Sequence, residues 1–182
     1  MIILVAYATV EGQTRKIASH IGAQVEKEGH QAVLLDVAGP GFGLPGRMDA
    51  VILCGPIHIG RYPAQLVSFV ANWKAELQAL PSALVTVSLA IASKNKEEQE
   101  EARTFPRQIT AGVGWQPDYF HHVAGALKYV EYDFFKRWML RRIAASEGGP
   151  VDTSKDHELT DWLSLDKFVA GFLDFAARTP VD

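Results

Sequence analysis

Near the start of the chain stands Thr9-Val10-Glu11-Gly12-Gln13-Thr14, directly after the apolar run Ile2-Ile3-Leu4-Val5-Ala6. It precedes the segment 15–25, whose apolar residues recur every four positions, as on one face of a helix. The stretch is therefore predicted to be a turn between a buried strand and a helix. Such a turn directs backbone N–H groups and the positive end of the helix dipole to one place. Two threonine hydroxyls flank that place and Gly12 permits tight curvature, so we expect the turn to hold a phosphate monoester.

Length and composition are typical of a single globular domain. The chain has 182 residues, 48% of them hydrophobic, and a formal net charge of −3, which argues against a nucleic-acid-binding protein. Cys54 is the single cysteine, so we expect no internal disulfide and a reducing, cytoplasmic location. The apolar start has no basic leader and soon meets a polar turn. We interpret it as a first strand rather than a signal peptide or a membrane span.

Strand-like and helix-like segments alternate along the rest of the chain. Further strands are predicted at 31–37, 50–55, 83–89 and 119–125, and helices at 66–77, from 94 to about 109, and at 160–177 with Thr160 or Ser164 as N-cap. The segment 38–46 is too rich in Gly and Pro for a stable helix. Alternation implies parallel strands joined by right-handed crossovers, and apolar strands imply a sheet covered on both faces. We therefore predict an α/β fold, a doubly wound five-stranded parallel sheet in the order 2-1-3-4-5.

The predicted topology also says where a ligand binds. In a doubly wound sheet, ligands lie beyond the C-terminal ends of the strands, at the switch point between strands 1 and 3. The opening turn and the loop 55–62 fall at that switch point, and the loop 88–93 lies beside it.

A segment at about 127–158 exceeds what this fold needs. We interpret it as an insert before the last helix of one domain, 1–182. Residues 132–143 have helical periodicity, with Tyr132, Trp138 and Ile143 on the apolar side. From Leu127 to Ala145, five basic and two acidic residues give a basic segment in an acidic chain. Three interpretations stay open: packing on its own sheet, peripheral contact of Tyr132 to Ala145 with an anionic membrane surface, or contact with a partner or a second copy of the chain.

Several phosphate-binding chemistries are excluded by their missing motifs. The turn has neither the G-x-G-x-x-G of dinucleotide sites nor the G-x-x-x-x-G-K-S/T of nucleoside triphosphate sites. Cys54 lacks the C-x5-R pattern of a cysteine phosphatase. No acidic cluster follows strand 1, which excludes a phospho-acceptor receiver domain. A neutral, hydroxyl-rich phosphate site remains, with an ordinary turn capped by Thr14 as the alternative. Arg15 and Lys16 oppose the helix dipole unless an anion is bound nearby, or they are simply solvated. Asp36 ends strand 2, where it is only a weak sign of a ribose site.

The T-x-E-G-x-T turn after the first strand resembles the FMN-phosphate loop of the flavodoxin family. A longer pattern resembles the flavodoxin-type, quinone-dependent protoporphyrinogen oxidases and spans nearly the whole chain, insert included. It comprises Thr9-x-x-Gly12-Gln13-Thr14-Arg15-x-Ile17-Ala18, Ile57-x-x-Gly60-x-Tyr62, Pro81-Ser82-Ala83, Ser88, Trp115-x-Pro117-Asp118, Ala124-Gly125-Ala126-Leu127-x-Tyr129, Gly148-Gly149-x-x-Asp152-Thr153 and Thr160-Asp161-Trp162.

The resemblance implies an FMN site formed by three segments. Thr9, Val10, Glu11, Gly12, Gln13 and Thr14 would hold the phosphate. The isoalloxazine ring would be flanked by Pro56, Ile57, His58, Ile59, Gly60 and the loop to Tyr62, and by Ser88, Leu89, Ala90, Ile91, Ala92 and Ser93. In the family's second loop, Arg and Tyr stand where this chain has His58 and Ile59. No side chain is an obligatory catalyst on this interpretation. His58 is a candidate proton donor, or a partner for the flavin or a carboxylate substrate, with a partly exposed loop histidine as the alternative.

Two other features have structural and functional interpretations side by side. His121 and His122 are neighbours in a predicted strand and so point to opposite faces, which prevents them from chelating one metal together. We interpret both as structural, and expect no metal site. Tyr129 and the aromatic residues of the insert would either line a porphyrinogen or quinone site or pack the insert onto the sheet.

The resemblance implies a function that involves three small molecules. With FMN as cofactor, the protein would oxidise protoporphyrinogen IX to protoporphyrin IX in haem biosynthesis and pass the electrons to a membrane quinone. That acceptor would suit a peripheral position on the inner face of the cell membrane. One alternative is a flavodoxin-like FMN electron-transfer protein with a protein partner, and another is an interaction domain without flavin.

Overall fold

A central parallel sheet carries five strands, with helices on both sides. The computed structural model describes residues 1–39, 43–58, 60–93, 95–127 and 157–179. The strands are β1 (Ile2–Tyr7), β2 (Gln31–Asp36), β3 (Ala50–Pro56), β4 (Ser82–Val87), β5 (Tyr119–Val123), β6 (Ala126–Leu127) and β7 (His157–Glu158). The helices are α1 (Gln13–Lys27), α2 (Ala64–Asn72), α3 (Lys74–Gln78), α4 (Lys96–Thr104), α5 (Pro106–Val113) and α6 (Trp162–Arg178), with a 3₁₀ turn at Leu89–Ala92.

The predicted strand order is confirmed. The main sheet runs β2-β1-β3-β4-β5 with every pairing parallel. A separate antiparallel pair, β6 with β7, joins Ala126 to Glu158 and Leu127 to His157. Leu127 and His157, which flank residues 128–156, therefore lie side by side.

Two apolar layers cover the sheet. On one face α1 and α6 contribute Ile17, Ile21, Leu165 and Phe172, and on the other face α2, α5 and their neighbours contribute residues such as Phe69. Strands β1, β3 and β4 are buried on both faces, as predicted. The edge strands depart from that prediction: Leu34 in β2 and Phe120 in β5 are each 44% exposed, because an edge strand has a neighbour on one side only.

Two predicted helices are each divided in two. The helix predicted at 66–77 is interrupted at Trp73, whose backbone (φ −114°, ψ 22°) leaves the helical region between α2 and α3. The helix predicted from 94 to about 109 is interrupted before Pro106, because proline has no N–H to donate and instead begins α5. Apolar spacing continues across both breaks, so it did not reveal them. Between β2 and β3, the described residues contain no helix, as expected.

The N-cap of the last helix was predicted wrongly. Asp161 occupies that position, and its carboxylate accepts a hydrogen bond of 2.9 Å from the backbone N–H of Ser164. The hydroxyl of Thr160 instead donates to the Ala124 carbonyl over 2.8 Å. At the far end of α1, Gly29 has φ 82° and terminates the helix.

Candidate functional site

Three loops leave the sheet together at the C-terminal ends of their strands, because the strands that precede them are parallel and in register. Tyr7 pairs with Cys54 and Pro56 with Val87, so β1, β3 and β4 end together. The backbone N–H of Ile57 donates to the carbonyl of Val87 over 2.8 Å, which extends the alignment into the second loop. The structure therefore brings together the opening turn, the loop after β3 and the loop after β4, as the sequence predicted.

The opening turn places a glycine, which has no side chain to accept a hydrogen bond, at the N-cap of α1. Gly12 is the N-cap residue, with φ 87° and ψ −15° and no side-chain cap, and the first turn of α1 contains no acidic residue. The alternative with Thr14 as N-cap is therefore wrong, since Thr14 is the second residue of the helix and buried. Thr9 Oγ1 accepts a hydrogen bond of 2.9 Å from the Gly12 N–H, which closes the turn. By contrast, Asn95 and Asp161 cap α4 and α6.

The two basic residues of the first turn have partners within the protein. Arg15 pairs with Asp36 at 3.1 Å, and hydrogen bonds to Asp36 and Tyr7 raise the pKa of its guanidinium. Lys16 Nζ lies 5.2 Å from the centre of the Trp162 ring. Asp36 also accepts from the Ala38 N–H, so its carboxylate has a structural role here. The helix N-terminus and its N–H groups also contribute positive potential to the turn.

The second loop has a defined shape. His58 and Arg61 exchange backbone hydrogen bonds of 2.9 and 3.1 Å, and Gly60 between them has φ 73°. Gln108 of α5 donates to the Gly60 carbonyl over 2.7 Å. His58 and Gly60 are exposed at the sheet edge, while Pro56 and Ile57 are half-buried. Ile59, another predicted site residue, lies outside the described residues.

The buried ring of Tyr62 supports this loop from below. Its hydroxyl shares a hydrogen bond of 2.6 Å with Thr86 Oγ1, and burial raises its pKa, so the phenol stays neutral. Gly55 makes room for the ring: a Cβ built there would lie 2.7 Å from Tyr62 Cδ1.

Arg61 lines a cleft on the side of the second loop that faces α2 and α5. The cleft has a volume of about 290 Å³ and is completed by Gly60, Tyr62, Val67, Gln108 and Ile109. Arg61 is exposed and makes no ion pair with any residue in the part of the chain that the structure describes. A guanidinium in this position can accept a carboxylate from solution.

The third loop is held by its two serines. Ser88 Oγ accepts from the Ala90 N–H over 3.2 Å, and Ser93 Oγ accepts from the Asn95 N–H over 3.1 Å. Both serines are buried, so their hydroxyls shape the loop rather than face solvent. The residues between them, Leu89 to Ala92, are half-exposed and form the surface of the loop.

Thr160 is a residue of the site whose role the sequence did not reveal. Its hydroxyl donates to the Ala124 carbonyl over 2.8 Å and accepts a hydrogen bond of 3.1 Å from Gln13 Nε2. It therefore connects the opening turn to the chain that leaves β5. The motif Thr160-Asp161-Trp162 marked the place, but its partner is far away in sequence.

The adjacent histidines of β5 point to opposite faces of the sheet, as predicted. His121 stacks on Phe168 of α6 with 4.6 Å between ring centres. His122 lies on the side of α4, where, besides burial, the charge of Arg103 helps to lower the pKa of the imidazole. Burial lowers the pKa of both imidazoles. Among the residues described, no group of three His, Cys, Asp or Glu is arranged to hold a metal ion, and no helix is long and apolar enough to cross a membrane.

The opening turn fits the phosphate of FMN on its own chemistry. A left-handed glycine at the N-cap of a helix and nearby threonines are features that receive a phosphate monoester at a helix N-terminus. Residues 128–156, which include the predicted segment from Tyr132 to Ala145, lie outside the described residues. Their part in the site stays a prediction.

Comparisons with known proteins agree with this geometry. A family model described as a flavodoxin domain matches residues 4–154. A protein of Escherichia coli (strain K12) named protoporphyrinogen IX dehydrogenase (quinone) is 30% identical over 165 residues, which cover 91% of each chain. A protein of the same name from Leishmania major is 29% identical over 178 residues, 97% of this chain and 77% of that protein.

Comparison with solved structures shows that the chain has the fold of the flavodoxins. Oxidised flavodoxin 1 from Bacillus cereus has a TM-score of 0.54 at 13% identity, over 96% of this chain and 98% of its own. A short-chain flavodoxin associated with a bacterial microcompartment has a TM-score of 0.55 at 12% identity, over 97% and 99%. With a matching family model and a 30% identical relative along nearly its whole length, this chain belongs to the flavodoxin-domain family and, within it, to the group of proteins named protoporphyrinogen IX dehydrogenase (quinone).

Proposed function

We propose that this protein is an FMN-dependent dehydrogenase that oxidises protoporphyrinogen IX to protoporphyrin IX and delivers the electrons to a quinone. The observation that carries the proposal is the 30% identity to the Escherichia coli relative across 91% of both chains. An electron carrier with a protein partner is less well supported, because the flavodoxins themselves resemble this chain at only 12–13% identity.

Each of the three loops has a distinct task in this proposal. The turn 9–14 binds the phosphate through its N–H groups and hydroxyls, and the loops at 56–62 and 88–93 flank the ring. The bound isoalloxazine supplies the redox chemistry, namely acceptance of hydride equivalents and their transfer to a quinone. The protein orients the reactants and tunes their electrostatic environment, and no side chain of the described residues is required as a covalent catalyst.

Arg61 is the residue that we assign to substrate recognition. Protoporphyrinogen IX carries two propionate carboxylates, and the guanidinium of Arg61 beside the second loop makes no ion pair with the described residues. The cleft of about 290 Å³ next to it admits a carboxylate side arm rather than a whole tetrapyrrole. We assign Arg61 to one propionate, with the macrocycle remaining at the sheet edge.

A steady-state assay tests the proposed function against electron carriage. The FMN-loaded protein is supplied with protoporphyrinogen IX under exclusion of oxygen, with a ubiquinone or menaquinone analogue as the acceptor. We expect protoporphyrin fluorescence to appear as quinone is reduced to quinol, with three two-electron quinone reductions for each six-electron oxidation of protoporphyrinogen IX. A protein that only exchanged electrons with protein partners, and formed no protoporphyrin in the presence of a quinone, would contradict the proposal.

Peripheral membrane contact through Tyr132 to Ala145 is a further part of the proposal. A quinone dissolves in the bilayer, and a basic amphipathic segment suits an anionic surface. The pairing of β6 with β7 joins the chain on both sides of residues 128–156, so we expect the fold to tolerate replacement of 132–145 by a flexible linker. That replacement should abolish cosedimentation with anionic phospholipid vesicles, and unchanged cosedimentation would refute the membrane contact.

A further inference from the structure

We infer that Thr160 is a positioning residue for the phosphate turn. Its hydroxyl accepts from Gln13 Nε2 at 3.1 Å and donates to the Ala124 carbonyl at 2.8 Å, so both bonds are made by one side chain that is 8% exposed. Gln13 is the first residue of α1, next to Gly12. The inference rests on the proposed function, because it concerns the affinity of the turn for the phosphate end of FMN.

The start of α6 lies along the start of α1 in a series of side-chain contacts. Beyond Gln13 and Thr160, the Trp162 ring contacts Lys16 and also His20, whose ring centre lies 4.6 Å away. His20 Nε2 lies 2.6 Å from Asp166 Oδ1. These contacts set the position of one helix relative to the other, and Thr160 is the member of the series nearest to the turn.

The consequence for binding is specific to the phosphate. A helix start binds an anion through N–H groups whose directions depend on the first residues of the helix. A hydroxyl that holds the Gln13 side chain also holds the residue that follows the left-handed Gly12. Loss of the hydroxyl should therefore weaken the binding of FMN, which has a phosphate, more than the binding of riboflavin, which lacks one.

The test is a titration of flavin-free protein with FMN and with riboflavin, followed by quenching of flavin fluorescence. Thr160→Val removes the hydroxyl at nearly constant volume, and we expect about fivefold weaker FMN binding, as for one lost neutral hydrogen bond. Riboflavin binding should be unchanged. Thr160→Ser keeps the hydroxyl and should bind FMN as the unsubstituted protein does.

Thr110→Val is the matched control. Thr110 is also 8% exposed, and its hydroxyl donates to a carbonyl within α5, that of Arg107, away from the turn. It should leave the affinity for both flavins unchanged, and thermal unfolding of each variant reports any general loss of stability.

Each outcome of the titration is decisive. A selective loss for FMN in Thr160→Val, with rescue in Thr160→Ser, supports the inference. Unchanged FMN affinity, or an equal loss for FMN and riboflavin, overturns it while leaving the proposed function intact. An unsubstituted protein that binds riboflavin and FMN equally weakly would instead contradict the proposed function itself.

Discussion

At the scale of single residues, Gly12 decides whether the opening turn can form. Its φ of 87° lies in the left-handed region, where a residue with a Cβ costs roughly 1–2 kcal/mol. We expect Gly12→Ala to lower the free energy of unfolding by about that amount and to weaken FMN binding about tenfold, since the first N–H groups of α1 shift with it. Chemical denaturation and flavin titration measure the two effects separately.

Gly29 provides the control at the other end of the same helix. Its φ is 82°, and a Cβ there would meet nothing within 4 Å. Gly29→Ala should therefore lose comparable stability without losing FMN affinity. If both variants weakened FMN equally, the effect would come from general destabilisation, and the role of Gly12 in the phosphate turn would be refuted.

Arg61 is the residue to which we assign recognition of the substrate. Arg61→Gln should raise the KM for protoporphyrinogen IX roughly tenfold with little change in kcat, as expected for the loss of a charge-assisted hydrogen bond. The dimethyl ester of the substrate, which lacks carboxylates, should be used equally well by both proteins. Arg107→Gln removes an exposed charge next to Gln108 but outside the cleft, and should leave KM unchanged. Equal KM changes in the two variants would point to net charge alone.

At the scale of elements, the end of β3 and the second loop pack as one unit. A Cβ at Gly55 would come within 2.7 Å of the Tyr62 ring and would also press on Leu66, so Gly55→Ala should destabilise the fold by roughly 1–3 kcal/mol. The displaced Tyr62 would move the loop that carries His58 and Arg61, so FMN affinity should fall as well. Denaturant titration and flavin titration measure these two losses.

Gly171 in α6 tests the same substitution where space is open. Nothing lies within 4 Å of a Cβ there, and Ala favours helix over Gly by about 1 kcal/mol, so Gly171→Ala should stabilise the protein. A loss of stability at Gly171, or none at Gly55, would show that the packing around Gly55 is looser than described.

At the scale of the whole molecule, the features set by chain order were predictable from sequence. Alternation of strands and helices has few solutions, and the order 2-1-3-4-5 with three loops at one edge followed from it. The helix interruptions at Trp73 and before Pro106 were not predicted, because apolar spacing continues through them. The bond from Gln13 to Thr160 escaped because it joins residues 147 positions apart, which only the packing of α6 against α1 brings together.

The same distinction applies to the candidate site. The motif around Gly12 predicted the phosphate turn from neighbouring residues alone. The cleft beside Arg61 depends on contact between the second loop and α5, through Gln108, and these elements are distant in sequence. Local motifs thus indicated the cofactor, whereas the proposed determinants of substrate binding required the tertiary structure.

In the proposed reaction, one protein takes electrons from protoporphyrinogen IX into FMN and passes them to a quinone. Rapid mixing of the FMN-loaded protein with protoporphyrinogen IX in the absence of oxygen, followed by a quinone analogue, tests both transfers in one measurement. We predict that the visible absorption of the flavin is bleached by the porphyrinogen and restored by the quinone, with protoporphyrin formed. A flavin that stays oxidised after mixing with protoporphyrinogen IX would contradict the proposed transfer of electrons from the porphyrinogen to FMN.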